Sequence, residues 1–354
     1  MNMALPTAND ESAALSINSP EVSSLHYVLL ESLRLRVRDI QLPPDADLHT
    51  RPRRARAEDD VRFAIMFSGG VDCTTMARIA HDVLPPDEPV DLLNVAFENP
   101  RVVAARNATS KKQGAEVDDT DPTAPPTQVD PYTLCPDRTT GLSSFYELRK
   151  TCPTRPWRFI SINIPYTEVH AHRPTVISLM HPHNTEMDLS IALAFYFAAR
   201  GQSDDYTTPA RILLSGLGAD ELLGGYSRHS TAFRRAGYQG LLEELNLDFL
   251  RLGKRNLGRD DRVAAHWAKE IRYPFLDEKV VAWAMRTKVT GKCPFGASKE
   301  DGIENGKKVL RLLAKKLGMP TAATEPKRAV QFGSRSAKMS FESRKMKGTD
   351  ELTI

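Results

Sequence analysis

Two short stretches combine glycines, hydroxyls and carboxylates at spacings suited to handling phosphate. The first, Ser68-Gly69-Gly70-Val71-Asp72-Cys73, follows an apolar run and precedes a helical pattern from Thr74 to Leu84. Backbone amides at a helix amino terminus, with glycines that let an anion approach, make a phosphate cradle. An aspartate inside such a cradle repels phosphate unless a cation joins the two, so Asp72 implies Mg²⁺. The loop has neither the lysine of a Walker A sequence nor three spaced glycines of a dinucleotide fingerprint. Its plain alternative is a glycine-rich turn with an N-capping aspartate. The second stretch, Ser215-Gly216-Leu217-Gly218-Ala219-Asp220-Glu221, adds paired carboxylates. Asp72 and Asp220 are placed to share one Mg²⁺ against triphosphate oxygens; the plain alternative is a capped turn leading into a helix.

Both stretches need strands to deliver them. Apolar runs at 62–67, 91–97, 158–164 and 210–216 are bounded by turn residues and separated by helical patterns. Such runs fit strands buried on both faces, so the expected class is α/β, a parallel sheet with flanking helices. Ligands of such sheets bind at the carboxyl ends of the strands. After Gly225 the pattern turns helical, which predicts a C-terminal helical layer on the sheet. Before the first strand, Leu25, Val28, Leu29, Leu33 and Val37 fall near helical spacing. A Pro- and Arg-rich link follows, whose RPRRAR reads as solvated linker rather than anion patch. The polar, Pro-rich segment 99–136 reads as an insertion after the second strand. The expected division is therefore a lead-in at 1–60, a catalytic module at 61–335 and a basic tail at 336–354.

Composition narrows the partners. Lys and Arg number 48 against 45 Asp and Glu, a net charge of +3 over 354 residues, which carries no nucleic-acid footprint. The four cysteines form no C-x-x-C pair, and there is neither a long apolar run nor a basic leader. The expectation is a cytoplasmic protein with small-molecule substrates, without nucleic-acid or membrane partners.

SGGVDC resembles the pyrophosphate loop of the PP-loop ATP pyrophosphatases, with Cys73 where the pattern has Ser; a thiol is the weaker donor. With SGLGADELLGGY, DDR (260–262), EIRYPFLD (270–277) and KKVLR (307–311), the chain is similar to the synthetase domain of the asparagine synthetase family over about residues 61–335. PDRTTG and PKRAVQFGSRSAK are similar to a eukaryotic branch, the asparagine synthetase domain-containing proteins. The resemblance implies an adenine nucleotide α-hydrolase-like fold and an AMP-forming ligase, in which the aspartate β-carboxylate is adenylated by ATP and ammonia then displaces AMP. It places AMP on the backbones of Phe67, Ala96, Ser215 and Gly216, and pyrophosphate on Ser68, Gly69, Gly70, Asp72 and Cys73. Mg²⁺ falls to Asp72 and Asp220. Glu270 is implied near the reacting centre, with an ion pair to Arg272 or Arg262 as its alternative. Lys307 and Arg311, four apart on a helix, are candidate phosphate clamps or plain surface cations.

Two departures bear on activity. Leu217 stands where asparagine-forming enzymes usually carry Glu, and Leu has no acid-base function. Ala329 stands where they carry a catalytic Lys, leaving Lys327 or Arg328 to supply that charge. The chain also begins Met1-Asn2-Met3, without the N-terminal Cys of a class II glutaminase. The expectation is use of free ammonia, or of glutamine-derived nitrogen from a glutaminase domain or partner outside this chain. A catalytically reduced paralogue acting as a nucleotide-binding interaction module remains the second reading.

Overall fold

The computed structural model describes residues 1–7, 14–40, 61–105, 130–298, 302–337, 339 and 347–352. The RPRRAR link, most of the 99–136 insertion and much of the basic tail lie outside the described residues.

Five strands form one parallel sheet: β1 (Phe63–Met66), β2 (Val90–Phe97), β3 (Trp157–Ile164), β4 (Ile212–Leu214) and β5 (Glu270–Arg272). The first four fall where the apolar runs predict them. The fifth lies where only a C-terminal helical layer is expected; with three residues, of which only Ile271 is buried, it has no period to read. Among the described residues, the sheet is accompanied by α1 (Pro20–Val37), α2 (Val71–Val83), α3 (Pro136–Thr151), α4 (Tyr166–Met180), α5 (Glu186–Arg200), α6 (Ala219–Leu223), α7 (Ser227–Leu252), α8 (Gly258–Ala265), α9 (Glu278–Arg286), α10 (Lys308–Lys316), α11 (Pro320–Thr324) and α12 (Val330–Gly333).

The strand order β3-β2-β1-β4-β5 decides where a ligand can bind. The chain steps outward from β1 to β3, then crosses back to β4. Adjacent connections therefore leave β1 and β4 in opposite directions, which opens a crevice at their carboxyl ends. Ile65 is level with Leu214, so the two glycine-rich loops leave the sheet side by side.

Alternating residues send the sheet's two faces into separate cores. Phe63 and Ile65 pack with α1, α2, α3 and α10, while Ala64 and Leu93 pack with α4, α5 and α8. The lead-in helix α1 is part of the first core: Val22, Leu25, Leu29, Leu33 and Val37 are all buried. Ser32 donates to the Pro274 carbonyl at 2.7 Å and Arg36 pairs with Asp277 at 2.8 Å, tying α1 to the YPFLD turn. Among the described residues no helix is long and apolar enough to cross a membrane.

Helix α2 begins at Val71, three residues before the predicted start, with extended Gly70 as its N-cap. Asp72 and Cys73 are thus in the first helical turn rather than in the loop. A carboxylate there is favoured by the helix dipole.

Candidate active site

Four charged side chains from four separate segments meet in the crevice. Asp72 comes from the first turn of α2 and Asp220 from the first turn of α6. Lys307 is the residue before α10, and Lys327 lies between α11 and α12. The Lys307 ammonium stands 2.8 Å from both Asp72 carboxylate oxygens and 2.8 Å from Asp220 Oδ1. Lys327 Nζ pairs with Asp220 Oδ2. Burial opposes the charge on Asp220, but Lys307 and Lys327 outweigh it and hold the carboxyl well below the usual range. Burial likewise opposes the charge on Lys307, and the carboxylates of Asp220 and Asp72 raise it to about 12. Lys307 adopts φ 56°, a left-handed conformation that a side-chain-bearing residue takes at a cost.

Two carboxylates converging on one ammonium present oxygen donors to a common point. That donor chemistry suits Mg²⁺, which takes one or two carboxylates and completes its shell with phosphate and water. Among the described residues no group of three or more His, Cys, Asp or Glu assembles. An ion held here would need its remaining ligands from a bound molecule or water.

The phosphate loop is braced by α3. Gly69 has φ 82°, and a Cβ on it would lie 2.5 Å from the Thr140–Gly141 backbone, so only glycine fits. Ser144 donates to the Gly69 carbonyl at 2.7 Å. Gly216 touches the loop from the other side; a Cβ there would sit 3.0 Å from the Asp72 Cβ. The Cys73 thiol turns inward to the Gly70 carbonyl at 3.3 Å, and burial pushes it up. Its side chain serves the loop, and what it offers an anion is its place in the first turn.

Buried polar groups under the strand ends lock this arrangement. Asn94 donates to the carbonyls of Phe67 at 2.8 Å and Asp137 at 2.9 Å, and accepts from Arg138 Nε at 2.7 Å. The Phe67 amide is bonded to Leu93 and the Ser215 amide to Arg272. Ala96 is buried within β2. The backbone N–H groups of Phe67 and Ser215 are therefore engaged in the sheet rather than turned to a ligand. On the second loop, Glu221 Oε1 accepts the Tyr226 hydroxyl at 2.6 Å and Oε2 accepts the Gly218 amide at 3.1 Å. Burial, then Asp220, raises the Glu221 carboxyl.

Three expected catalytic residues bond to other partners. Glu270 opens β5 at the amino end of the sheet, is exposed, and pairs with Arg272 at 2.8 Å. Its ion-pair alternative is the one realised. Arg311 is buried but aims at carbonyls: Gly306 at 3.0 Å, Ala323 at 2.8 Å and Glu325 at 2.7 Å. It fixes the segments carrying Lys307 and Lys327 instead of meeting phosphate. Arg328 lies at the α3 side, donating to Thr140 at 2.9 Å. Sequence reasoning overlooked Asn94, Arg138 and the Tyr226–Glu221 pair. The asparagine inside an apolar strand was the available signal, since buried polar groups are almost always bonded.

The asparagine synthase family matches residues 234–348. The chain is similar to asparagine synthetase domain-containing protein 1 of Bos taurus, 37% identical across 96% of this chain and 58% of that protein. The Homo sapiens counterpart is 35% identical over the same shares. A putative glutamine-hydrolysing asparagine synthetase 1 of Methanocaldococcus jannaschii is 33% identical over 48% of this chain and 35% of its own length. The chain spans a little over half the length of the first two relatives. The paired loops, the parallel sheet that presents them and these similarities agree: the chain carries an asparagine synthase family domain in its C-terminal region, and over most of its length its homologues are eukaryotic asparagine synthetase domain-containing proteins.

Proposed function

We propose that the chain is an ATP-dependent amide ligase of asparagine synthetase type, forming AMP and pyrophosphate. Its acyl substrate is aspartate, and its nitrogen comes as free ammonia or from a glutaminase domain or partner. The observation that carries this reading is the convergence of Asp72, Asp220, Lys307 and Lys327 at the β1/β4 crevice.

The amino end of α2 with Gly69 and Gly70 receives the departing pyrophosphate through backbone dipoles. Lys307 and Lys327 supply positive charge where the aspartate carboxylate attacks the α-phosphorus. Such a preorganised cation commonly lowers a barrier by a few kcal/mol. Lys327 is the candidate for the charge missing at Ala329, a reading supported by its ammonium reaching Asp220 from two positions upstream. Asp72 and Asp220 would hold Mg²⁺, which supplies charge neutralisation for the triphosphate. Arg311 holds both lysine-bearing segments in place.

The test is aspartate-dependent exchange of labelled pyrophosphate into ATP. Exchange that is lost in Asp220→Ala supports the ligase. Leu217 favours the second reading, a nucleotide-binding module without turnover. Calorimetric binding of Mg-ATP with no exchange at saturating aspartate would decide for that module.

A further inference from the structure

Asp137 opens α3 within the PDRTTG motif and is 6% exposed, yet its side chain makes no hydrogen bond among the described residues. A carboxyl set this deep without a hydrogen-bond partner in the protein calls for an explanation. The carboxyl lies against the backbone of Gly333, where a Cβ would sit 1.9 Å from Oδ1. Lys327 and Arg328 are its charged neighbours, but each is bonded elsewhere, to Asp220 and to Thr140. Its position relative to the reaction site follows from three contacts. Its own carbonyl shares the Asn94 amide with Phe67 at the end of β1, Thr140 one turn on abuts Gly69 of the glycine-rich loop, and its charged neighbour Lys327 is bonded to Asp220.

The second half-reaction of an amide ligase needs a proton acceptor, and Leu217 provides none. We propose that Asp137 is that acceptor, receiving the proton of a small nitrogen nucleophile, ammonia or a primary amine; this rests on the ligase reading above. The nitrogen lone pair forms the C–N bond to the acyl carbon. The C–O bond to AMP breaks with its electron pair leaving on the phosphate. The carboxylate of Asp137 takes the proton that the nitrogen sheds.

The electrostatics suit the task. Burial pushes the Asp137 carboxyl up to about 7, with Arg328 and Lys327 pulling it back down. A base poised near neutrality is the efficient one. The other groups facing it are uncharged: the Gly333 backbone, and the N-cap residue Cys135, whose thiol burial raises to about 11.

The experiment separates the half-reactions in the full chain, comparing wild type with Asp137→Asn. Exchange of pyrophosphate should stay within about 3-fold, while amide formation from ammonium chloride falls about 100-fold, in the range usual for a lost general base. The wild-type-to-variant rate ratio should rise with pH and level off above about 7. Hydroxylamine, which attacks without base assistance, should restore acyl transfer as hydroxamate. An equal fall in exchange and amidation, or an unchanged ammonia rate, would overturn the inference while leaving the ligase intact. Wild type without any exchange would overturn the ligase reading and this one together.

Discussion

Lys307 neutralises two aspartates from loops that are distant in sequence, and removing its charge should leave both carboxylates facing each other across a nearly dry site. Breaking such a buried pair typically costs about 3–5 kcal/mol. Lys307→Met is therefore expected to lower the urea midpoint strongly, and Asp220→Ala in the same background should recover part of the loss. Asp137 runs the other way. Its folded value of about 7 lies above its ordinary 3.8, so the native state holds a proton that the unfolded chain gives up. Its burden on stability is absent below pH 3.8 and grows as pH rises to about 7. Asp137→Asn should match wild type in denaturant near pH 4 and exceed it near pH 8, by up to about 4 kcal/mol. A gap that did not widen with pH would contradict that placement. At this scale the residue types were legible, since Asp72, Asp220 and Lys307 all stood out in the sequence. Their pairing was not, because a lysine 235 positions away leaves no periodic trace.

Elements explain why some residues named for chemistry serve position. Arg311 reaches the carbonyl of Gly306, just before Lys307, and those of Ala323 and Glu325, shortly before Lys327. Arg311→Met should lower the exchange rate about 10-fold or more while nucleotide affinity changes less, because misplacement of a charge weakens the transition state first. Calorimetry alongside exchange assays checks this. Helix α1 makes a different contribution. Leu29 is 1% exposed in the core shared with α2 and α10, so Leu29→Ala should destabilise by about 2–5 kcal/mol in a denaturant titration. Helical spacing revealed α1 and α10, and bounded apolar runs revealed four strands. The early start of α2 and the three-residue β5 stayed hidden, as caps and edge strands are settled by packing rather than by pattern.

For the whole molecule, the sheet order places the reaction site between strands that are neighbours in space and far apart along the chain. The β1–β4 pair, the α3 brace and the segment from Lys307 to Gly333 each arrive from a different part of the sequence. The class and the two loops could be read from motifs, whereas the strand order and the packing of the C-terminal segment against α3 could not. A chain cut at residue 300 should fail to give a cooperative thermal transition, because it lacks α10, both lysines and the segment that covers Asp137. Preservation of that transition would contradict a single folded unit.

The separation of Asp72 from Lys307 also sets a clock for the chain's birth. With 235 residues between them and synthesis at about 5–20 residues per second, the first aspartate waits roughly 12–47 s for its ammonium. During that interval β1 and β4 can pair, but the crevice carries two carboxylates with no counter-charge. The emerging chain thus stays open at its centre until the segment bearing Lys307 has been made, and its exposure to misassembly is greatest while both loops wait for that charge.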